Sequence, residues 1–191
     1  VSIGQIMISF GVLTVGSAVG QIIYGPLSDR YGRKPIIILG LFFFLLTSVL
    51  TAFVTSIEPL YILRFIQGLA VAATMIIMRS VVRDLFDVKD GAKFFANLFV
   101  ILAIMPIIGP ILGGHLTIWF GWQAIFYFMA CVSALVLLTF IFFYKESLIE
   151  KDLDALKFDI LLVNFSNIII ERNFLTFLLI GMGAYGGLYA I

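Results

Sequence analysis

The residues with the most distinctive chemistry lie between Gly25 and Pro35, in the run Gly-Pro-Leu-Ser-Asp-Arg-Tyr-Gly-Arg-Lys-Pro. One acid, Asp29, and the bases Arg30, Arg33 and Lys34 stand here between two long stretches without charge. Such groups form ion pairs and hydrogen bonds at a surface, whereas catalysis would need a converging nucleophile and base or a set of metal ligands. The glycines and prolines are typical of a tight turn, and we expect this turn to dock against another part of the molecule.

A second chemical feature is Arg64, the one base within an otherwise apolar stretch. A guanidinium at membrane depth is unfavourable by roughly 2.5–3.5 kcal/mol on insertion scales, so a polar partner or water must offset it. Two interpretations stay open. Arg64 either extends toward the nearby outer surface, or it faces an internal cavity and pairs with a carboxylate. The apolar stretches contain no acid, so that carboxylate would come from another part of the protein.

The third feature is a proline- and glycine-rich segment from Pro106 to Gly114. Prolines remove backbone donors from a helix, and glycines let a neighbouring helix approach closely. We therefore expect this segment to be bent and tightly packed, either for a functional reason or for packing alone.

Composition identifies the elements that must position these residues. With 62% apolar, 15% aromatic and 12% charged residues, the chain cannot be a soluble domain. A bilayer core about 30 Å thick needs roughly 20 apolar residues per helix, which predicts an all-α, polytopic bundle with six spans. The charge-free stretch from Lys93 to Lys145 must turn back once, and we place that corner at residues 113–122. The predicted spans are 3–24, 36–55, 60–78, 94–113, 122–144 and a sixth from 173 onward.

The basic residues predict the orientation, because they collect on the cytoplasmic side of short loops. This places residues 25–35, 79–93 and 145–172 in the cytoplasm. The polar segment 145–172 divides the chain into a half-bundle of five spans (1–144), a central linker (145–172) and the first helix of a second half (173–191). We expect the bulky second and fifth spans at the periphery and the first, third and fourth facing the interior. A GxxxG pair, Gly16 and Gly20, predicts close helix contact in the first span.

Three motifs now carry a resemblance to a known family. The first run resembles the signature GxLxDRxGRKP of major facilitator superfamily transporters, matched here by Gly25, Leu27, Asp29, Arg30, Gly32, Arg33 and Lys34. The third span is similar to the superfamily's helix 4 motif at Arg64, Gln67 and Gly68. The fourth span is similar to the antiporter motif of helix 5 at Pro106, Gly109, Pro110, Gly113 and Gly114. Within the superfamily the chain resembles the twelve-helix drug:proton antiporters of the bicyclomycin/chloramphenicol-resistance (Bcr/CflA) group, which implies a fragment covering helices 2 to 7.

The resemblance implies a transporter rather than an enzyme, in the bacterial inner membrane. The first motif would form a cytoplasmic gate in which Asp29 meets a helix N-terminus and Arg30 and Arg33 pair with acids such as Asp84. Arg64 would take part in proton coupling, and the Pro106–Gly114 kink would mark antiport. We expect efflux of small amphipathic compounds driven by the proton gradient, with no cofactor, no metal, no nucleic acid partner and a monomeric state. Uptake by a symporter, or by a facilitator of a small metabolite, is the alternative.

Overall fold

The structure is a computed structural model that describes residues 2–157, 159 and 171–189. It divides into two compact units, Val1–Lys151 and Asp152–Ile191. The division falls inside the predicted linker. The domain bounds 1–144, 145–172 and 173–191 stay predictions.

The first unit consists of five helices that are long and apolar enough to cross a membrane, as expected for the first five spans. The predicted all-α bundle is confirmed for this unit. Short polar caps begin two of the helices: Ser2 and Gln5 form a reciprocal capping box on the first, and the Asp87 carboxylate accepts the N–H of Asp90 at the start of the fourth. The helices are α1 (Ile3–Tyr31), α2 (Arg33–Ala52), α3 (Ile57–Leu85), α4 (Val88–Phe120) and α5 (Gln123–Phe143).

The second unit contains helix α6, Arg172–Tyr189, at the position of the predicted sixth span. Its apolar stretch within the described residues runs from Phe174 to Gly183, which is shorter than a bilayer crossing requires. The sixth span therefore stays a prediction.

The predicted turn at residues 25–35 is wrong in extent. Helix α1 continues through Gly25 and Pro26 to Tyr31, and only Gly32 separates it from α2. Gly32 has φ 110°, a backbone conformation that glycine adopts without steric cost, so one residue reverses the chain. Pro35 lies in the first turn of α2, where its missing N–H needs no partner. Glycine and proline marked the reversal correctly but did not reveal how short it is.

The predicted corner between the fourth and fifth spans is also too broad. Gly113 and Gly114 lie inside α4, which has 33 residues and ends at Phe120. The reversal occurs at Gly121, with φ 84°. The glycines near residue 113 remain helical because each costs only about 1 kcal/mol relative to alanine and the surrounding hydrogen bonds persist. At about 1.5 Å per residue α4 is longer than the bilayer core, so its first, charged turns extend beyond it.

Close packing of α1 against α3 holds the interior of the first unit together, and the predicted GxxxG contact is confirmed. A methyl group added at Gly16 would collide with the backbone of Phe65, and one at Gly20 would lie 2.6 Å from the Cβ of Ala72. Gly68 on α3 faces α1 in the same way, against the backbone of Leu13. The two backbones therefore touch where side chains would normally separate them. We call this contact the glycine seam.

The expectation that the second span lies at the periphery of the whole bundle stays a prediction, but within this unit the second span is the most covered of the five. Helix α2 packs on both α3 and α5 and has the largest buried share of the five spans, whereas α4 is exposed along its length. Gly40 of α2 lies against Ala70 and Ala73 of α3. An apolar helix surface can pack on other helices as well as on lipid, so the bulky apolar composition of a span does not show which of the two it contacts. The buried core includes one cluster of large apolar side chains, Ile36, Ile37, Leu41, Ile77 and Leu137.

The glycine seam predicts that Gly68→Ala destabilises the full-length protein. The added methyl collides with the Leu13 backbone, which cannot move without separating α1 from α3. We expect a loss of about 1–3 kcal/mol, measured as a lower melting temperature of the purified protein in detergent. Gly11→Ala is the matched control, because a Cβ there meets no atom of the described chain within 4 Å. Equal melting temperatures for the two variants would contradict the seam.

Candidate functional site

Arg33 is the centre of a polar network at one end of the first unit. Its Nε donates to Asp84 Oδ2 at 3.1 Å, and its Nη1 donates to Ser28 Oγ at 2.7 Å and to Asp29 Oδ1. The side chain is only 2% exposed, although it carries a permanent charge. A buried guanidinium is tolerated when several acceptors surround its planar fork, and this one has three. We call these residues the Arg33 network.

The one-residue connection between α1 and α2 brings the residues of the network together. Asp29 precedes Arg33 by four residues, but the reversal at Gly32 intervenes, so the last turn of α1 faces the first turn of α2. Asp84 stands in the last turn of α3, which runs back to the same end of the unit. The network therefore ties three helices at their ends. The predicted pairing of Arg33 with Asp84 is present.

Glu146, three residues beyond α5, completes this end of the unit. Its two carboxylate oxygens accept the backbone N–H groups of Arg33 and Lys34, each at 3.0 Å. These N–H groups belong to the first turn of α2, which has no intrahelical partners for them and bears the positive end of the helix dipole. In return, Lys34 Nζ donates to the carbonyl of Ile141 in the last turn of α5 at 3.1 Å. The start of α2 and the end of α5 thus cap each other.

The electrostatics of Glu146 reflect this arrangement. Burial alone would raise the pKa of its carboxyl, but backbone N–H groups of Leu148, Lys34, Arg33 and Ser147 stabilise the charged form and lower it below its ordinary value. Gly32 is confined by the same carboxylate, since a Cβ there would lie 2.6 Å from Glu146 Oε2. Glycine is therefore required at position 32 for two reasons: its positive φ, and the nearby Glu146 carboxylate, which leaves no room for a Cβ.

Sequence reasoning missed Glu146 and Ser28. The available signal for Glu146 was an acid just beyond an apolar span, on the same predicted face as the basic first motif. Because Asp84 and Glu146 both contact Arg33, the ends of the three segments 25–35, 79–93 and 145–172 meet at one face, as the positive-inside pattern predicted.

The other residues of the first motif have different surroundings. Leu27 packs against the buried core, and Gly25 contributes its carbonyl to Ser28 Oγ. The guanidinium of Arg30 lies 5.7 Å from the ring of Tyr31, and within the described part of the chain it pairs with no acid. Asp29 is bonded to Arg33. Its contact with a helix N-terminus stays a prediction.

A second polar cluster surrounds Arg64 in the interior of the first unit. Arg64 Nη1 donates to Gln67 Oε1 at 3.0 Å, and Gln67 Nε2 donates to Ser48 Oγ of α2 at 2.9 Å. The guanidinium carbon lies 4.9 Å from the ring centroid of Phe126 on α5. Among the residues that the structure describes, Arg64 pairs with no carboxylate. The next residue of this motif, Gly68, belongs to the glycine seam.

The residues of the third motif lie in the exposed part of α4. Pro106 and Pro110 are inside the helix, which continues without a break. A Cβ at Gly109 or Gly114 would meet nothing within 4 Å in the described chain, and one at Gly113 would reach only Ile125 Cδ1, at 4.0 Å. The expected tight packing is absent there, and the antiporter role of the segment stays a prediction.

Comparison with known proteins agrees with this arrangement. The sequence matches the Major Facilitator Superfamily over residues 1–191, its full length. The chain belongs to this superfamily. Its helices make it a multi-pass membrane protein. It is 30% identical to a bicyclomycin resistance protein homolog of Haemophilus influenzae, over 100% of the chain and 48% of the relative.

Two further relatives are similar. An uncharacterized MFS-type transporter of Bacillus subtilis is 30% identical over 99% of the chain and 48% of its own length. A multidrug resistance protein of Klebsiella pneumoniae is 32% identical over 75% of the chain and 36% of its own length. The chain therefore spans about half the length of the first two superfamily members and about a third of the last.

The Arg33 network predicts a sharp difference between two neighbouring arginines. Arg33→Leu leaves Asp29, Asp84 and Ser28 without their shared donor, and we expect a loss of about 3 kcal/mol. Arg30→Leu removes the same charge from the same motif but breaks no ion pair among residues 2–157, so its melting temperature should stay near the wild-type value. The measurement is thermal unfolding of both full-length variants in detergent. A comparable loss in both would mean that Arg33 acts only through net charge.

The Glu146 cap predicts a pH-dependent contribution to stability. Because the folded-state pKa lies below the ordinary value of 4.5, the contribution is complete above that pH and is lost as pH falls through the folded pKa. Glu146→Gln should lower the stability at pH 7 by about 1 kcal/mol, and its difference from wild type should shrink in acid. Melting curves between neutral and acidic pH measure this.

Glu150→Gln is the matched control for the cap, because Glu150 is an exposed acid in the same segment. It should follow the wild-type curve at every pH. A constant difference between Glu146→Gln and wild type down to the lowest pH would show that the carboxylate charge is irrelevant.

Proposed function

We propose that the full-length protein is a secondary active transporter of the bacterial inner membrane that exports small amphipathic compounds in exchange for protons. The observation that carries the proposal is the Arg33 network, which joins the ends of three helices and the segment after α5 into one charged face. The names of the Haemophilus and Klebsiella relatives, for bicyclomycin and multidrug resistance, support drugs as the substrate class.

The packing supports alternating access. In such a mechanism two half-bundles rock as rigid bodies around a site near the middle of the membrane. The glycine seam fixes α1 to α3, and α2 packs between α3 and α5, so these four helices form a unit that can move without internal rearrangement. The Arg33 network locks the same helices at the cytoplasmic end. A charged face of this kind suits a gate that forms in one state and separates in the other.

The Arg64 cluster supports proton coupling. Neutral groups hold the guanidinium, namely an amide oxygen and an aromatic ring, so its charge is available to a carboxylate elsewhere in the protein. A proton that neutralises this carboxylate would break the ion pair, and loss of the proton would restore it. Binding of substrate and proton can then exclude each other, as exchange requires.

The proposal predicts transport driven by a proton gradient in inverted membrane vesicles that contain the full-length protein. With an acidic lumen, ethidium or bicyclomycin should accumulate inside, and adding either compound should dissipate part of the gradient. A protonophore should abolish accumulation. Fluorescence of ethidium and of an acridine pH probe measures both fluxes, and Arg64→Leu is expected to lose coupled transport, whereas a control variant at an exposed base outside the three motifs, Lys89→Gln, is expected to retain it.

The outcomes separate the candidate functions. Accumulation that is insensitive to the protonophore would overturn antiport. Accumulation that requires the opposite orientation of the gradient would favour the uptake symporter. Equal transport by wild type and Arg64→Leu would remove Arg64 from the coupling mechanism while leaving the direction of transport intact.

A further inference from the structure

Gln67 connects Arg64 to a second helix. Its side-chain oxygen accepts from Arg64 Nη1, and its nitrogen donates to Ser48 Oγ on α2. Gln67 and Ser48 are both fully buried, at 0% exposure. Neither the Gln67 amide nor the Ser48 hydroxyl can therefore exchange its partner for bulk water, and the two hydrogen bonds of Gln67 constrain each other.

Only one orientation of the Gln67 amide satisfies this chain. A guanidinium carries donors and no acceptor, so the amide oxygen must face Arg64. The amide nitrogen then faces Ser48, whose hydroxyl oxygen can accept. Without this acceptor the amide loses the contact that holds its oxygen toward Arg64. Ser48 therefore controls the position of a guanidinium that it does not touch.

Phe126 holds the same guanidinium from the opposite element, α5. The guanidinium carbon lies 4.9 Å from the ring centroid, within the distance at which the electron-rich face of an aromatic ring attracts a cation. Phe126 is itself 7% exposed, so the contact is shielded from solvent. One donor, the Nε of Arg64, is buried and has no hydrogen-bond partner in the described part of the chain. The Arg64 side chain is thus held in place although one of its donors has no hydrogen-bond partner among the described residues.

We propose that Ser48 and Phe126 are positioning residues for Arg64. This inference rests on the proposed function, in which Arg64 takes part in proton coupling. Holding the guanidinium with an amide oxygen and a ring keeps it in place while leaving its charge uncompensated. A permanent carboxylate partner would hold it equally well but would compete with any group whose protonation changes during transport. The neutral residues Gln67, which Ser48 of α2 holds, and Phe126 of α5 avoid that competition.

The first experiment measures proton-driven ethidium accumulation by the full-length protein in inverted vesicles. Ser48→Ala should reduce the rate about three- to tenfold, as expected when one buried hydrogen bond in a relay is lost. Ser48→Thr retains the hydroxyl and should restore most of the rate. Ser133→Ala is the matched control, since Ser133 is also a buried serine at the α2–α5 contact but bonds to the Leu41 carbonyl instead.

The ring is tested in the same assay. Phe126→Leu should reduce the rate, whereas Phe126→Tyr keeps an aromatic face and should retain it. Phe128→Leu, on the same helix, is the control. Equal rates for Ser48→Ala and Ser133→Ala would overturn the role of Ser48, and equal rates for Phe126→Leu and Phe128→Leu would overturn that of Phe126.

A second experiment does not depend on transport. Melting temperatures of Ser48→Ala, Arg64→Leu and the double variant form a thermodynamic cycle. If Ser48 acts on Arg64 through Gln67, the double variant should lose about 2–4 °C less than the sum of the two single losses. The pair Ser133→Ala and Arg64→Leu should be additive. If the vesicles show no proton-driven transport, only the proposed function is refuted. The thermodynamic cycle still tests whether Ser48 acts on Arg64, and additive losses in Ser48→Ala and Arg64→Leu would overturn that role.

Discussion

The burial of one positive charge, that of Arg33, organises the end of the bundle at which Gly32 connects α1 to α2. A guanidinium that is 2% exposed must be surrounded by acceptors, and here the acceptors come from two other helices: Ser28 and Asp29 from α1 and Asp84 from α3. The backbone of the same residue is capped by Glu146. The positions of four segments are therefore tied to a single side chain and its N–H.

Two different forces hold the same helices at different depths. Within the membrane, where lipid competes for apolar surface, close backbone contact along the glycine seam provides the attraction. At the water interface, where close glycine contacts would stabilise the packing little, ion pairs and reciprocal helix caps hold the helices together. The combination makes the unit stiff along its length. A stiff unit with a polar end is what a rocking mechanism requires, because the two ends must move together.

Much of this was predictable from the residues. The pattern of charges placed segments 25–35, 79–93 and 145–172 on one face, and GxxxG spacing identified the α1 surface that α3 covers. The lengths of the connections were not predictable. Gly25 and Pro26 read as turn residues but lie in a helix, and so does Gly114, because helical hydrogen bonds before and after them persist. At these two corners the chain reverses at Gly32 and at Gly121, both of which have positive φ.

By itself the sequence determined the membrane environment, the order of the helices, the segments that share one face and the superfamily, because these follow from composition, hydrophobic periodicity, charge pattern and motifs. The tertiary structure decided which side chains meet. No spacing rule links Glu146 to the start of α2, or Ser48 to Gln67, since each of these contacts joins residues on separate elements. Their distances depend on how closely the helices approach each other, and that approach is a property of packed surfaces rather than of any one segment.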